Sequence, residues 1–142
     1  MSGTLPSGLP RLVGDDEDLA RFSFSSDDVR PSDLRVKPQA FMPNFKDGAT
    51  SVSRHGATPR AALWALAPQR EGRTLYGAAI VKAAIVRQNS LDIHADDTPP
   101  RHANIVGWPD AGVNPQMRKA LCKELASAIA DAATFIPIDS TP

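Results

Sequence analysis

Only one cysteine, Cys122, occurs in the 142 residues, so the chain can form no internal disulfide. It falls within an apolar-periodic segment, where a buried thiol is the expected state. Long hydrophobic runs are also missing: the longest, Tyr76 to Val86, covers eleven residues and is broken by Lys82. A bilayer span needs about twenty, so no membrane segment is expected. The N-terminal MSGTLPSGLP has neither the basic start nor the apolar core of a secretory signal, which points to a cytoplasmic protein. Gly72, Gly77 and Gly107 form neither GxGxxG nor GxxxxGK, so no loop for cradling a nucleotide phosphate is expected. GxSxG, HExxH and paired cysteines are absent too. No cofactor and no metal are predicted.

What is present suits one ordinary domain. The length supports a single core, and 42% apolar with 23% charged residues is globular chemistry. Thirteen prolines confine long helices to the few stretches that lack them. Net charge is zero but unevenly placed. Arg30 to Arg87 holds ten Lys/Arg against Asp33, Asp47 and Glu71, a net +7. The remainder, with the run Asp15-Asp16-Glu17-Asp18 and the pair Asp96-Asp97, carries −7. Such segregation marks either a basic face for acidic or phosphate-rich partners or two surfaces that attract each other within the fold. No aromatic rhythm runs through the basic residues, which favours the second.

Along the chain, residues 1–14 are rich in Gly, Pro and Ser and read as a flexible tail. A single domain is expected over 15–136, with a second tail over 137–142. The acids before Leu19, Phe22 and Phe24 suggest a short helix from Asp16. Pro31, Pro38 and Pro43 make Ser25 to Pro43 irregular and extended. Strands are expected at Ala49–Arg54, Leu75–Ile80, Leu91–His94 and His102–Trp108. Helices are expected from Thr58-Pro59 to Ala67 and over Val81–Gln88. Asn114 and Pro115 open a third, whose stripe Met117, Leu121, Leu125, Ala128, Ile129, Ala132 predicts a core face. The fold class is therefore α+β: a small, mostly antiparallel sheet of about four short strands packed by two or three helices.

Candidate chemistry centres on the histidines, the side chains that titrate near neutrality. His94, Asp96, Asp97, Arg101 and His102 concentrate ligands, acids and bases around one loop, though Asp-Asp-Thr-Pro-Pro also reads as a polar surface connection. Arg54-His55 closes a strand, where it could bind an anion or let His55 work with His102 as a two-histidine acid/base pair. The weak catalytic candidates are His55, His94, His102, Arg54, Asp96 and Asp97, each also explicable as solvated polar surface. Candidates for a binding surface are Arg35, Lys37, Arg54, Arg60, Arg73 and Trp108; Trp64 and Trp108 are core residues by default, with Trp108 an interface anchor if exposed.

The blocks Arg35-Val36-Lys37-Pro38-Gln39-Ala40-Phe41-Met42-Pro43, Ser51-Val52-Ser53-Arg54 and Arg101-His102-Ala103-Asn104-Ile105-Val106-Gly107-Trp108-Pro109 resemble a family of small uncharacterised bacterial proteins. The similarity spans roughly Asp18 to Pro109. It implies a bacterial source and carries over no activity and no site. Composition and charge favour a non-enzymatic accessory protein that binds a larger protein through the basic segment. The alternatives are a small, toxin-like hydrolase or nuclease using histidine acid/base chemistry, and a nucleic-acid-binding module.

Overall fold

The computed structural model describes residues 4–55, 60–67, 72–109 and 114–138, without the side chains of residues 60 and 61. Six strands form one sheet: β1 (Asp18–Ser23), β4 (Thr50–Arg54), β5 (Gly77–Lys82), β6 (Asp92–Ala95), β7 (His102–Val106) and β8 (Thr134–Pro137). Their order is β6-β7-β4-β1-β5-β8 and every pairing is antiparallel. A two-stranded ribbon, β2 (Val29–Arg30) with β3 (Arg35–Val36), lies outside it. The helices are α1 (Arg60–Leu63), α2 (Ala83–Gln88) and α3 (Pro115–Ala132). The chain is thus α+β with an antiparallel sheet, as expected, but the sheet has six strands rather than four.

Two of the extra strands have clear physical origins. The expected helix at Asp16 is the strand β1, which sits between β4 and β5 and is buried on both faces. Its acids do not cap a dipole. Asp15 pairs with Arg87 at 2.6 Å and Asp18 with Lys82 at 2.9 Å, tying the strand's entry to β5 and α2. The chain after α3 turns back as β8 along β5, so part of the expected C-terminal tail is sheet; residues 139–142 lie outside the described residues. The α1 helix passes into a 3-10 turn at Trp64–Leu66 and ends at Ala67, while its expected start and stop signals, Thr58-Pro59 and Pro68, also lie outside.

Alternation sorts the sheet into two faces. Leu19, Val52, Ala79, Val81, Ile93, Ala103 and Ile105 point to the main core, closed by Cys122, Ala126, Ile129 and Ala130 of α3. Asn114 caps α3, its side-chain oxygen accepting from the Met117 amide at 2.7 Å, and Pro115 opens it as expected. Its core stripe, however, is rotated from the expected one: Met117 and Leu121 are exposed, and Cys122 and Ala126 are fully buried. Small residues on that face let the helix approach the sheet and the turn Pro38–Phe41 closely. The opposite sheet face divides in two. Ala20, Phe22 and Ala78 are covered by Leu63, Trp64 and Leu66, whereas the β4-β7-β6 half presents Ser51, Ser53, His102, Asn104 and His94.

Gly77 marks where β8 approaches β5 most closely. A Cβ there would meet Ile136 O at 2.3 Å and Phe135 Cζ at 2.6 Å. Gly77→Ala is expected to destabilise by about 1–3 kcal/mol through overpacking, read as a lower urea midpoint. Phe135→Leu in the same chain should not restore it, because the nearest obstacle is backbone.

Candidate functional site

A cleft of about 390 Å³ opens on the half-covered sheet face, within the size range of small-molecule sites. Its floor is Ala20 and Phe22 of β1 with Ser51 and Ser53 of β4; Phe24, Leu66 and Pro99 supply apolar walls, and Arg21, Asp28, Gln39, Arg73 and His102 supply polar ones. Ser53 lies directly across from His102 in the β4–β7 register, and Ser51 across from Asn104. Period-two alternation then puts all four on the cleft side.

His102 is the one histidine in this wall. Its Nδ1 is 2.6 Å from Asp96 Oδ1, and its side chain keeps 18% of its surface exposed. Asn104 Nδ2 donates to the other Asp96 oxygen at 3.2 Å, and the Thr98 amide donates to Oδ1 at 3.1 Å. Burial alone would raise the Asp96 pKa; Thr98, His102 and Asn104 outweigh it and hold the carboxyl below its ordinary range. An ionised carboxylate only accepts, so His102 Nδ1 carries the proton toward Asp96 and Nε2 is left as the ring's acceptor.

The loop that presents Asp96 is fastened by main-chain bonds. The Asp96 and Asp97 amides donate to His102 O at 3.1 and 3.0 Å, and the His102 amide donates to Pro99 O at 2.9 Å. Asp97 is buried rather than a solvated loop acid: it accepts from the Ser7 amide at 2.8 Å and the Arg101 amide at 2.9 Å. Contacts from Ser7, against a smaller opposing effect of burial, hold its carboxyl below the usual range. Asp97 and Arg101 both adopt left-handed backbone (φ 57° and 72°), which the bonds around them compensate.

Arg54, expected as a surface cation, is instead fully buried at 0% exposure. Its Nε and one terminal nitrogen donate to Glu17 Oε1 and Oε2 at 2.8 and 2.7 Å, and the other terminal nitrogen donates to Pro10 O at 2.6 Å. Leu12 O lies at 3.5 Å. This bidentate pair gathers residues 4–14 against the body, with Leu5 and Val13 buried and Ser7 on Asp97. The segment expected to be a flexible tail is therefore packed, because a buried guanidinium needs acceptors that the tail's carbonyls supply. Burial alone would raise Glu17; the Arg54 hydrogen bonds, the Gly14 amide and the charges of Arg54 and Arg87 outweigh it and lower its pKa.

The remaining expected residues do not converge. His94 is 68% exposed, with Asp92 Oδ2 at 3.6 Å. His55 follows β4 with its amide on Asp18 O and is not in the cleft wall, so His55 and His102 do not flank one substrate site as a two-histidine mechanism requires. Trp108 is 5% exposed, with Nε1 donating to Ile105 O at 3.1 Å, so it is the core residue expected by default, and the alternative of an exposed anchor, with its place among the binding candidates, falls away. Arg35 pairs with Asp131 at 2.9 Å, Lys37 is half-buried, and Arg60's side chain lies outside the described residues. Among the binding candidates whose side chains are described, Arg73 alone lines the cleft. Sequence reasoning missed Ser51, Ser53, Arg21, Asp28 and Asn104. For the four strand residues the signal was alternation within each strand, without the register that brings the strands together; Asp28 lies in the 3-10 turn Ser26–Asp28, where no alternation marks it.

No helix among the described residues is long and apolar enough to cross a membrane, and none of their His, Cys, Asp and Glu side chains form a group of three or more suited to a metal ion. No protein-family model matches the chain, and no similar curated protein or solved structure is found.

Proposed function

We propose that this protein is a small hydrolase whose active site is the His102 cleft. The observation that carries the reading is the 2.6 Å contact between Asp96 and His102 Nδ1 on the wall of a substrate-sized cavity. In the proposed reaction, Nε2 removes a proton from water as it attacks an ester bond in the cleft. Asp96 stabilises the imidazolium that forms, and the imidazolium returns the proton to the departing alkoxide, so that one water yields an acid and an alcohol.

The reading as an accessory protein docked through the basic segment has less support. Much of that segment's charge is answered within the fold, by Arg35–Asp131, Arg54–Glu17, Lys82–Asp18 and Arg87–Asp15. The same pairing weakens the nucleic-acid reading, which needs a row of cations left for phosphates.

The test is a panel of nitrophenyl esters spanning acetate, butyrate, phosphate and phosphodiester, assayed for nitrophenol release. Turnover above buffer that is lost in His102→Gln supports the proposal. Rates equal to buffer throughout, or turnover unchanged in His102→Gln, would contradict it.

A further inference from the structure

We infer that the cleft takes an anionic ligand with a short apolar or aryl group, its charge held by Arg73; this rests on the cleft being the functional site but not on turnover. The inference follows from which hydrogen-bonding groups the walls leave to a ligand. The acidic member, Asp28, is already engaged on both oxygens: Oδ2 accepts from Ser23 Oγ at 2.8 Å and Oδ1 from Gln39 Nε2 at 3.1 Å. Arg21 directs Nε to Ala40 O and a terminal nitrogen to Ser51 O, both at 3.0 Å, and so braces the floor. Arg73 is different. It lines the cleft, is exposed, and pairs with no acid among the described residues.

Besides the His102 Nε2 acceptor, the groups offered to a ligand are the Arg73 fork, which only donates, and the hydroxyls of Ser51 and Ser53, which can turn to donate. Among the described lining residues Arg21, Arg73 and Asp28 are the charged ones, a formal balance of +1. An acceptor-rich anion complements this wall, and a guanidinium recognises a carboxylate or phosphate through paired bonds. A cation meets one acid already satisfied and two like charges. Phe22, Phe24, Leu66 and Pro99 supply the apolar surface that a lone inorganic anion would leave unused.

Calorimetric titration of the full chain with phenyl phosphate, phenylacetate, inorganic phosphate and benzylamine tests the inference. Phenyl phosphate or phenylacetate, whichever charge suits the fork, should bind at least tenfold more tightly than inorganic phosphate, with benzylamine silent. Arg73→Gln should weaken that binding about ten- to a hundredfold, as expected for one charge-assisted contact, while Arg73→Lys retains part of it and both variants melt like the parent. Equal binding of benzylamine, or affinity unchanged in Arg73→Gln, would overturn the inference. The two proposals fail separately. Anion binding without ester turnover sinks the hydrolase and leaves this inference standing, whereas His102-dependent turnover of neutral esters with no anion binding does the reverse.

Discussion

Arg54→Met is expected to remove about 3 kcal/mol of stability, the lower end of the range for breaking one partner out of a buried ion pair. The lower end applies because Glu17 keeps 20% of its side-chain surface exposed and recovers some hydration. Against a total of about 5–15 kcal/mol for a domain, the loss is large and will shift a urea midpoint clearly. Methionine approximates the volume of the side chain but returns none of its donors. Glu17 then loses both guanidinium bonds and keeps the Gly14 amide, and Pro10 O loses the bond that holds residues 4–14 to the body. Adding Glu17→Gln to Arg54→Met should recover part of the loss, since it removes the stranded charge but not the stranded carbonyl. Limited proteolysis within residues 4–14 should be faster in both variants.

The same pair sets an acid response. Glu17 is held below its ordinary value of 4.5 in the folded state, so its contribution is fully present above that pH and is lost as pH falls through the lower folded value. Asp96 and Asp97 are shifted the same way, and their contributions carry the same sign. Stability should therefore decline below about pH 4.5, and the decline should be shallower in Arg54→Met, where Glu17 no longer has its partner. A slope unchanged by the substitution would mean that Glu17 is not linked to folding through Arg54.

The second large effect is catalytic. His102→Gln should lower kcat/KM for any ester the protein turns over by about a hundred- to ten-thousandfold, the range for loss of a general base. The 18% of side-chain surface that His102 keeps exposed and its position at the start of β7 make a large folding cost unexpected. Asp96→Asn should keep the ring in place yet reduce kcat steeply, because an amide can donate to Nδ1 and so leave the proton on Nε2, the wrong nitrogen for a base. His94→Gln, on the neighbouring edge strand with Asp92 beside it and 68% of its side chain exposed, serves as the control and should leave the rate unchanged.

Local pattern made much of the fold legible. Ser-Val-Ser, His-Ala-Asn-Ile and Asp-Ile-His each alternate cleanly, and all three are strands; Asn114-Pro115 marks the start of α3. Charge segregation also pointed correctly to attraction within the fold. The failures share a cause. Asp18–Ser23 is a strand because β4 and β5 flank it, and no local property of that segment announces neighbours brought from elsewhere in the chain. Arg54 was misread for the same reason. It shares a face with Val52, which already indicated the core, but its partner Glu17 lies thirty-seven positions away inside an acidic run. The site was legible only in pieces: the Asp96–His102 loop stood out as a concentration of ionisable groups, while the pairing of Ser53 with His102 depends on register.

The most direct test of the central claim, that Asp96 fixes His102 as a base facing the cleft, is the nitrogen-15 spectrum of the histidine rings at a pH where they are neutral. His102 is expected to show a protonated Nδ1 and an unprotonated Nε2, reverting toward the commoner Nε2–H form in Asp96→Asn. A wild-type His102 with its proton on Nε2 would contradict the account, because the ring would then have no lone pair to offer a substrate.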